Sequence, residues 1–178
     1  MFAKFFHVNG ADANMAAIPE NVPDDGAVYC ADMLSTGFMG AEDGNIPVGG
    51  TVAVLAQGPV GLMATAGARL RGAGLVVGVE SVPKRQGGTV SDTGYFGEGE
   101  FVHIPRVDWG LGMADKTITT GLCPGGRLRM ERLLRVLETK RVDPTLMTTH
   151  TFPFDDMERA FEVSDKEPDD VIKPPIVF

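Results

Sequence analysis

A strand that leads through a glycine turn into a helix, and then into a second strand, constrains the fold of this chain most. The segment begins Thr51-Val-Ala-Val-Leu-Ala-Gln-Gly-Pro-Val-Gly61, continues as an apolar helical stretch, and ends at Leu75-Val-Val-Gly-Val-Glu80. Such a unit aims backbone N–H groups and the positive end of a helix dipole at one point, where a pyrophosphate binds. The sequence therefore predicts an α/β fold with a dinucleotide at this turn.

The spacing within the turn supports this interpretation. Gly58 leaves room for phosphates to approach, and Gly61 allows the helix to pack close to the strand. Ala56 stands where the usual G-x-G-x-x-G pattern has its first glycine, so the motif alone is weak, and a strand-turn-helix without a nucleotide is the alternative. The predicted cofactor contacts in the turn are Gly58, Pro59, Val60 and Gly61.

Composition excludes several classes of partner. The 178 residues carry a net charge of −8, and their basic residues form no stripe of the kind that binds phosphate backbones, so nucleic acid is not expected as a partner. No apolar run approaches the roughly 20 residues of a membrane span, so a soluble chain is expected. Cys30 and Cys123 follow no hydrophobic leader, which favours reduced, buried thiols and a cytoplasmic location.

Outside the central unit, periodicity and capping residues predict shorter elements. These are a strand near residues 4–8, a helix over 26–42, a charged amphipathic helix within 124–141, a helix from Asp155 to about Ser164, and a final strand over 171–178.

Several long and unusual strings lie along the chain. They are Ala31-Asp-Met-Leu-Ser-Thr-Gly-Phe-Met-Gly-Ala-Glu42, Gly58-Pro-Val-Gly-Leu-Met63, Gly67-Ala-Arg-Leu-Arg-Gly-Ala-Gly74, Tyr95-Phe-Gly-Glu-Gly-Glu100, Ile104-Pro-Arg106 and Gly121-Leu-Cys-Pro-Gly-Gly-Arg-Leu-Arg129. Through them almost the whole chain resembles the zinc-dependent medium-chain alcohol dehydrogenases, in particular the tetrameric bacterial secondary alcohol dehydrogenases.

The resemblance implies a Rossmann-type nucleotide-binding domain, here with an incomplete parallel sheet, joined to remnants of the family's catalytic domain. The implied bounds are 1–24 for a catalytic-domain remnant, 25–150 for the nucleotide-binding domain and 151–178 for the return to the catalytic domain. The family's tetramers imply a homo-oligomer.

The resemblance also implies a reaction, which is hydride transfer between a nicotinamide ring and a secondary alcohol or ketone. In the family a zinc ion polarises the alcohol oxygen. Asp32 matches the aspartate of a Cys, His and Asp ligand set, and Thr36 matches a position on the nicotinamide side, so both are assigned as catalytic. Gly94 and Tyr95 are assigned as further cofactor contacts. From the residues alone, Asp32 is either paired, a metal ligand, or an ordinary hydrogen-bonded or surface aspartate.

The end of the second strand predicts which cofactor is preferred. NADP-using relatives carry Gly-Ser-Arg there, whereas this chain has Glu80, Ser81 and Val82. A carboxylate accepts from a free 2′-hydroxyl and repels a 2′-phosphate, so NAD is predicted over NADP. Glu167, where the relatives have lysine, points the same way.

Two departures from the family weaken the functional prediction. The segment with the Cys and His zinc ligands and the proton relay is missing, and His7, His103 and His150 are isolated, so the fragment is expected to be inactive although its parent binds zinc. Only eight residues, 81–88, separate Glu80 from the next family-like strand, too few for a parallel crossover, so a missing segment is expected near 85–88. The alternatives are a non-catalytic nucleotide-binding or oligomerisation remnant, or a small α/β domain without a nucleotide.

Overall fold

The computed structural model describes residues 3–79, 88–93, 116–166 and 171–178. They form two compact units, one from the described residues of Met1–Asp32 and Gly125–Phe178 and one from those of Met33–Pro124. No described helix is both long enough and apolar enough to cross a membrane.

Helices and parallel strands make up both units. The α-helices are α1 (Ala11–Asn14), α2 (Asp24–Ala27), α3 (Met33–Asp43), α4 (Pro59–Leu70), α5 (Arg127–Glu138) and α6 (Met157–Lys166), and 3-10 turns span Val28–Ala31, Pro144–Met147 and Phe154–Asp156. The strands are β1 (Thr51–Leu55), β2 (Leu75–Val79), β3 (Gly88–Asp92), β4 (Lys116–Thr120), β5 (Phe152–Pro153) and β6 (Ile176–Val177).

The unit built from Met33–Pro124 contains the predicted strand, helix and strand. β1 and β2 pair in parallel, from Thr51 with Leu75 to Leu55 with Val79, and α4 connects them. The α/β prediction for residues 51–80 is thus confirmed over β1, α4 and β2. Leu34, Phe38 and Met63 are among the buried side chains where α3 packs on α4.

The next strand lies in a different sheet. β3 pairs in parallel with β4, and the described strands β2 and β3 are not hydrogen-bonded neighbours. Adjacent parallel strands need a crossover of a dozen or more residues, and the interval between β2 and β3 is shorter than that.

In the unit built from Met1–Asp32 and Gly125–Phe178, one face of α5 forms part of the buried apolar core. Its buried face carries Leu133, Leu134 and Leu137, and it packs against α1, α2 and the 3-10 turn at Val28–Ala31, whereas the 3-10 turn at Pro144–Met147 packs against α2. Residues far apart in sequence are joined there, since the hydroxyl groups of Tyr29 and Thr148 are hydrogen-bonded at 2.6 Å.

Three local predictions are wrong or only partly right. Residues 4–8 form no strand, and Phe5 in this segment is 92% exposed, because no described strand pairs with it. The predicted helix over 26–42 is interrupted at Asp32, whose φ of −140° and ψ of −69° are not helical. The last strand is limited to Ile176–Val177 because β5, its partner, is only two residues long.

The two cysteines should differ sharply in reactivity. Cys30 is fully buried, and burial raises the pKa of its thiol from 9.0 to about 11. Cys123 is exposed, so the expectation that both thiols are buried is wrong for Cys123. Because the thiolate is the reactive form, we expect one equivalent of a thiol reagent to react quickly at pH 8 in the native protein and two in denaturant. Cys123→Ser is the control and should leave no fast-reacting thiol. Rapid reaction of both thiols in the native chain would contradict this packing.

Candidate functional site

The turn between β1 and α4 is the candidate site. Ala56, directly after β1, donates its N–H to the carbonyl oxygen of Val79 at 2.8 Å, which extends the parallel pairing by one residue. The side-chain amide of Gln57 donates to the carbonyl of Val54 at 2.9 Å. Gly58 is the N-cap of α4 and Pro59 is its first residue. These bonds hold the end of the strand and the start of the helix in one geometry.

Gly61 is required by the packing of the turn itself. A Cβ atom added at Gly61 would overlap the carbonyl oxygen of Ala56, which is backbone and cannot turn away. It would also lie 3.8 Å from Cγ1 of Val54 in β1. The absence of a side chain therefore allows the first turn of α4 to lie directly on the end of β1, as the sequence argument requires.

At Gly58, neither the backbone conformation nor the packing of the described residues requires glycine. Its φ of −66° and ψ of −176° are open to any residue, and a Cβ atom added there would have no neighbour within 4 Å among the described residues. Helix geometry leaves the first N–H groups of α4 without partners inside the helix, and since Pro59 has no N–H, the available donors are Val60 and Gly61. The space above Gly58 is thus open in front of two backbone donors and a positive helix end.

Ala56 takes the backbone conformation of the glycine that the motif lacks. Its φ is 61°, in the left-handed region that glycine adopts at little cost. An alanine in this region costs about 1–2 kcal/mol. The chain therefore keeps the geometry of the glycine-rich turn although its sequence departs from the pattern.

Asp32 and Thr36 lie in different environments and in different units. Asp32, between the 3-10 turn at Val28–Ala31 and α3, is exposed, so burial does not force it to be a ligand. Thr36, in the first turns of α3, is 6% exposed. The remaining predicted contacts, Glu80, Ser81, Val82, Gly94 and Tyr95, and also Glu167, lie outside the described residues.

The donor groups of the described residues decide whether a zinc ion could be held here. A zinc site needs at least three protein ligands, and within the described ranges no three side chains of His, Cys, Asp or Glu come close enough to hold a metal ion. His150 stacks on Phe152 at a centroid distance of 6.2 Å, and its buried Nδ1 atom has no hydrogen-bond partner among the residues that the structure describes. The described side chains do not fit the ion.

Gly37 is not among the predicted site residues, although α3 meets the first turn of α4 there. A Cβ atom added at Gly37 would lie 2.7 Å from both the carbonyl oxygen of Val60 and the nitrogen of Ala64. A glycine inside a helix, where it costs about 1 kcal/mol relative to alanine, was the available signal.

Comparison with known proteins decides the family. No family model matches the chain. An NADP-dependent isopropanol dehydrogenase of Thermoanaerobacter brockii is 42% identical over 233 residues, which cover 100% of this chain and 66% of that protein. The chain belongs to the zinc-dependent medium-chain alcohol dehydrogenase family. A second NADP-dependent isopropanol dehydrogenase, from Clostridium beijerinckii, is 36% identical with the same coverage, and an alcohol dehydrogenase of Cupriavidus necator is 32% identical over 96% of this chain and 61% of its own length.

This family member is shorter than these relatives. It spans 66% of the length of the Thermoanaerobacter brockii enzyme, and the match extends over 233 positions whereas the chain has 178 residues, a difference of 55. Some residues inside the matched stretch of the relative therefore have no counterpart in this sequence. The rest of the relative lies outside the match.

Solved structures agree on the fold. An alcohol dehydrogenase of Thermus sp. has a TM-score of 0.76 at 20% identity and covers 94% of this chain and 62% of its own. Zinc-dependent alcohol dehydrogenase 2 of Streptococcus pneumonia, in its apo form, has a TM-score of 0.76 at 21% identity, covering 96% and 64%. The fold of this chain is thus the incomplete Rossmann-type arrangement that the resemblance implied.

The predicted preference for NAD over NADP is wrong. It depended on the carboxylate of Glu80 and on the lack of an arginine at Ser81-Val82, yet the similar dehydrogenases of Thermoanaerobacter brockii and Clostridium beijerinckii are NADP-dependent. A 2′-phosphate is recognised by all the charges and hydrogen bonds around it, so one carboxylate in the sequence is not sufficient to predict the choice.

Two substitutions in the turn should differ in how strongly they change the stability of the protein. Gly61→Ala should lower the free energy of unfolding by about 3 kcal/mol, because its Cβ meets backbone that cannot rearrange. Ala56→Gly is the matched control and should change it by no more than about 1 kcal/mol, because relief at φ 61° is offset by the greater freedom of unfolded glycine. Urea unfolding measures both. An unchanged midpoint for Gly61→Ala would contradict the close contact.

Proposed function

We propose that this chain is the NADP(H)-binding part of a secondary alcohol dehydrogenase that transfers hydride between the nicotinamide ring and a small secondary alcohol or its ketone. The observation that carries the proposal is the turn at Gly58, which is open in front of the first donors of α4 for no reason internal to the fold. Two relatives are NADP-dependent isopropanol dehydrogenases, which supports the substrate class and the cofactor.

In this proposal the residues of the turn bind and orient the cofactor. The N–H groups of Val60 and Gly61 donate to the pyrophosphate, and the positive end of α4 offsets its charge. Gly58 and Pro59 provide the open space and the fixed φ at the helix start. Thr36 contacts the nicotinamide side, and Asp32 supplies the aspartate of the family's metal site.

A second candidate is a nucleotide-binding remnant without catalytic activity. It is favoured by the lack, among the described residues, of any three side chains that could hold a metal ion together. In that case the turn would bind the cofactor in the same way, but no alcohol would be oxidised. We also propose a homo-oligomer, as the resemblance to the tetrameric dehydrogenases implies. We place it in the reducing cytoplasm, where cysteines that form no disulfide, such as Cys30 and Cys123 here, are usual.

NADPH binding tests the proposal directly. Titration of NADPH with the purified chain should give saturable enhancement of its fluorescence, and Gly58→Ala should weaken binding about tenfold or more, because the new methyl group fills the phosphate space. The variant should keep its urea midpoint, since the added Cβ meets no described atom within 4 Å.

The control titration uses NADH, which should bind more weakly than NADPH. Equal NADPH affinity in the parent and Gly58→Ala would exclude this turn as the phosphate site. Tighter binding of NADH than of NADPH would contradict the proposed cofactor.

Zinc retention is a separate test. After dialysis against a mild chelator the chain should hold far less than one equivalent of zinc, because a single aspartate cannot compete with water for the ion. Asp32→Asn should have the same low metal content, measured by atomic absorption. A stoichiometric zinc in the parent that Asp32→Asn loses would show that the chain does carry a metal site.

A further inference from the structure

Helix α3 touches the backbone of the candidate phosphate site. A Cβ atom added at Gly37 would lie 2.6 Å from Cβ of Met63, in addition to its 2.7 Å approaches to the nitrogen of Ala64 and the carbonyl oxygen of Val60. Real Cβ atoms do not come this close to backbone. The backbone of α3 at Gly37 therefore lies directly against the first turn of α4.

A second approach follows along the same pair of helices. A Cβ atom added at Gly67 would lie 3.0 Å from Cδ1 of Phe38 and 3.1 Å from Cβ of Ala41. Phe38, Ala41 and Gly67 are all buried. The two helices are thus closely packed over about two turns, with the tightest contact at the start of α4.

The first turn of α4 is consequently held from two directions. Gly61 brings it against the carbonyl of Ala56 at the end of β1, and Gly37 brings it against α3. Donors that bind an anion need a fixed direction, because a shift of about 1 Å weakens the interaction strongly. Val60, whose carbonyl meets α3 and whose N–H faces the phosphate space, lies between the two contacts.

We propose that Gly37 is a positioning residue for dinucleotide binding, since it allows α3 to fix the Val60–Gly61 amide groups against the pyrophosphate. This inference depends on the proposed function. The new element is that α3, a helix outside the glycine turn, fixes the geometry of the proposed phosphate site. Thr36 precedes Gly37 on α3, so the same contact also sets where Thr36 lies relative to the turn.

The test compares two ligands in Gly37→Ala. The added methyl group must move α3 away from α4, so the dissociation constant for NADPH should rise about tenfold or more. Adenosine 2′-monophosphate has no pyrophosphate, and its dissociation constant should stay within about twofold of the parent value. A merely structural defect would instead weaken both ligands together or lower only the melting temperature.

Gly40→Ala is the matched control on the same helix. Its Cβ would meet Cγ2 of Thr93 at 3.3 Å, a side-chain atom that can give way, so both dissociation constants should match the parent. If Gly37→Ala does not fold, Met63→Ala serves instead. It removes the buried part of the Met63 side chain beyond Cβ, which loosens the packing next to Gly37 without a clash, and it should weaken NADPH binding at least threefold and leave adenosine 2′-monophosphate binding unchanged.

The outcomes separate this inference from the proposed function. Selective loss of NADPH affinity in Gly37→Ala, or in Met63→Ala, supports the assignment. Equal loss of both ligands, or unchanged binding of both, overturns the assignment while the parent chain still binds NADPH. A parent chain that binds neither ligand overturns the proposed function and this assignment with it.

Discussion

The close approach of the first turn of α4 to the carbonyl oxygen of Ala56 is the contact on which the rest of this unit depends. It requires glycine at position 61, and it sets where the helix begins relative to the parallel pair β1 and β2. Because the helix begins there, its first N–H groups converge in front of Gly58. The open turn that we propose as the phosphate site is thus a consequence of how tightly α4 packs on β1.

The same tight packing tolerates an unusual sequence. Ala56 adopts φ 61° although alanine disfavours it, because the hydrogen bond to Val79 and the contact with Gly61 hold the backbone in place. A cost of about 1–2 kcal/mol at one residue is small against the many contacts that determine the turn. The backbone geometry of a glycine-rich turn can therefore be kept when one of its glycines is replaced by another residue, as at Ala56.

Apolar side chains of the two-stranded sheet β1–β2 are exposed, and this is related to the short length of the chain. Leu55 is 48% exposed and Leu75 is 54% exposed, although strands of a parallel sheet are normally covered on both faces. The relatives have 55 more residues within the matched stretch, which is room for further strand and helix units. Leu55 and Leu75 are therefore exposed because this chain has fewer of the elements that cover both faces of a parallel sheet.

The sequence by itself determined the elements whose signals are local. The apolar run of β1, the glycines of the turn and the amphipathic spacing of α5 all predicted structure correctly, because each depends on neighbours within about twelve residues. Only the tertiary structure decided that Asp32 is exposed at a helix break, that residues 4–8 have no pairing strand, and that Gly37 contacts α4. These depend on which segments meet in space, and periodicity does not encode that. The cofactor prediction from Glu80 failed for a related reason, since a binding preference is the sum over a whole site and one position in the sequence cannot report it.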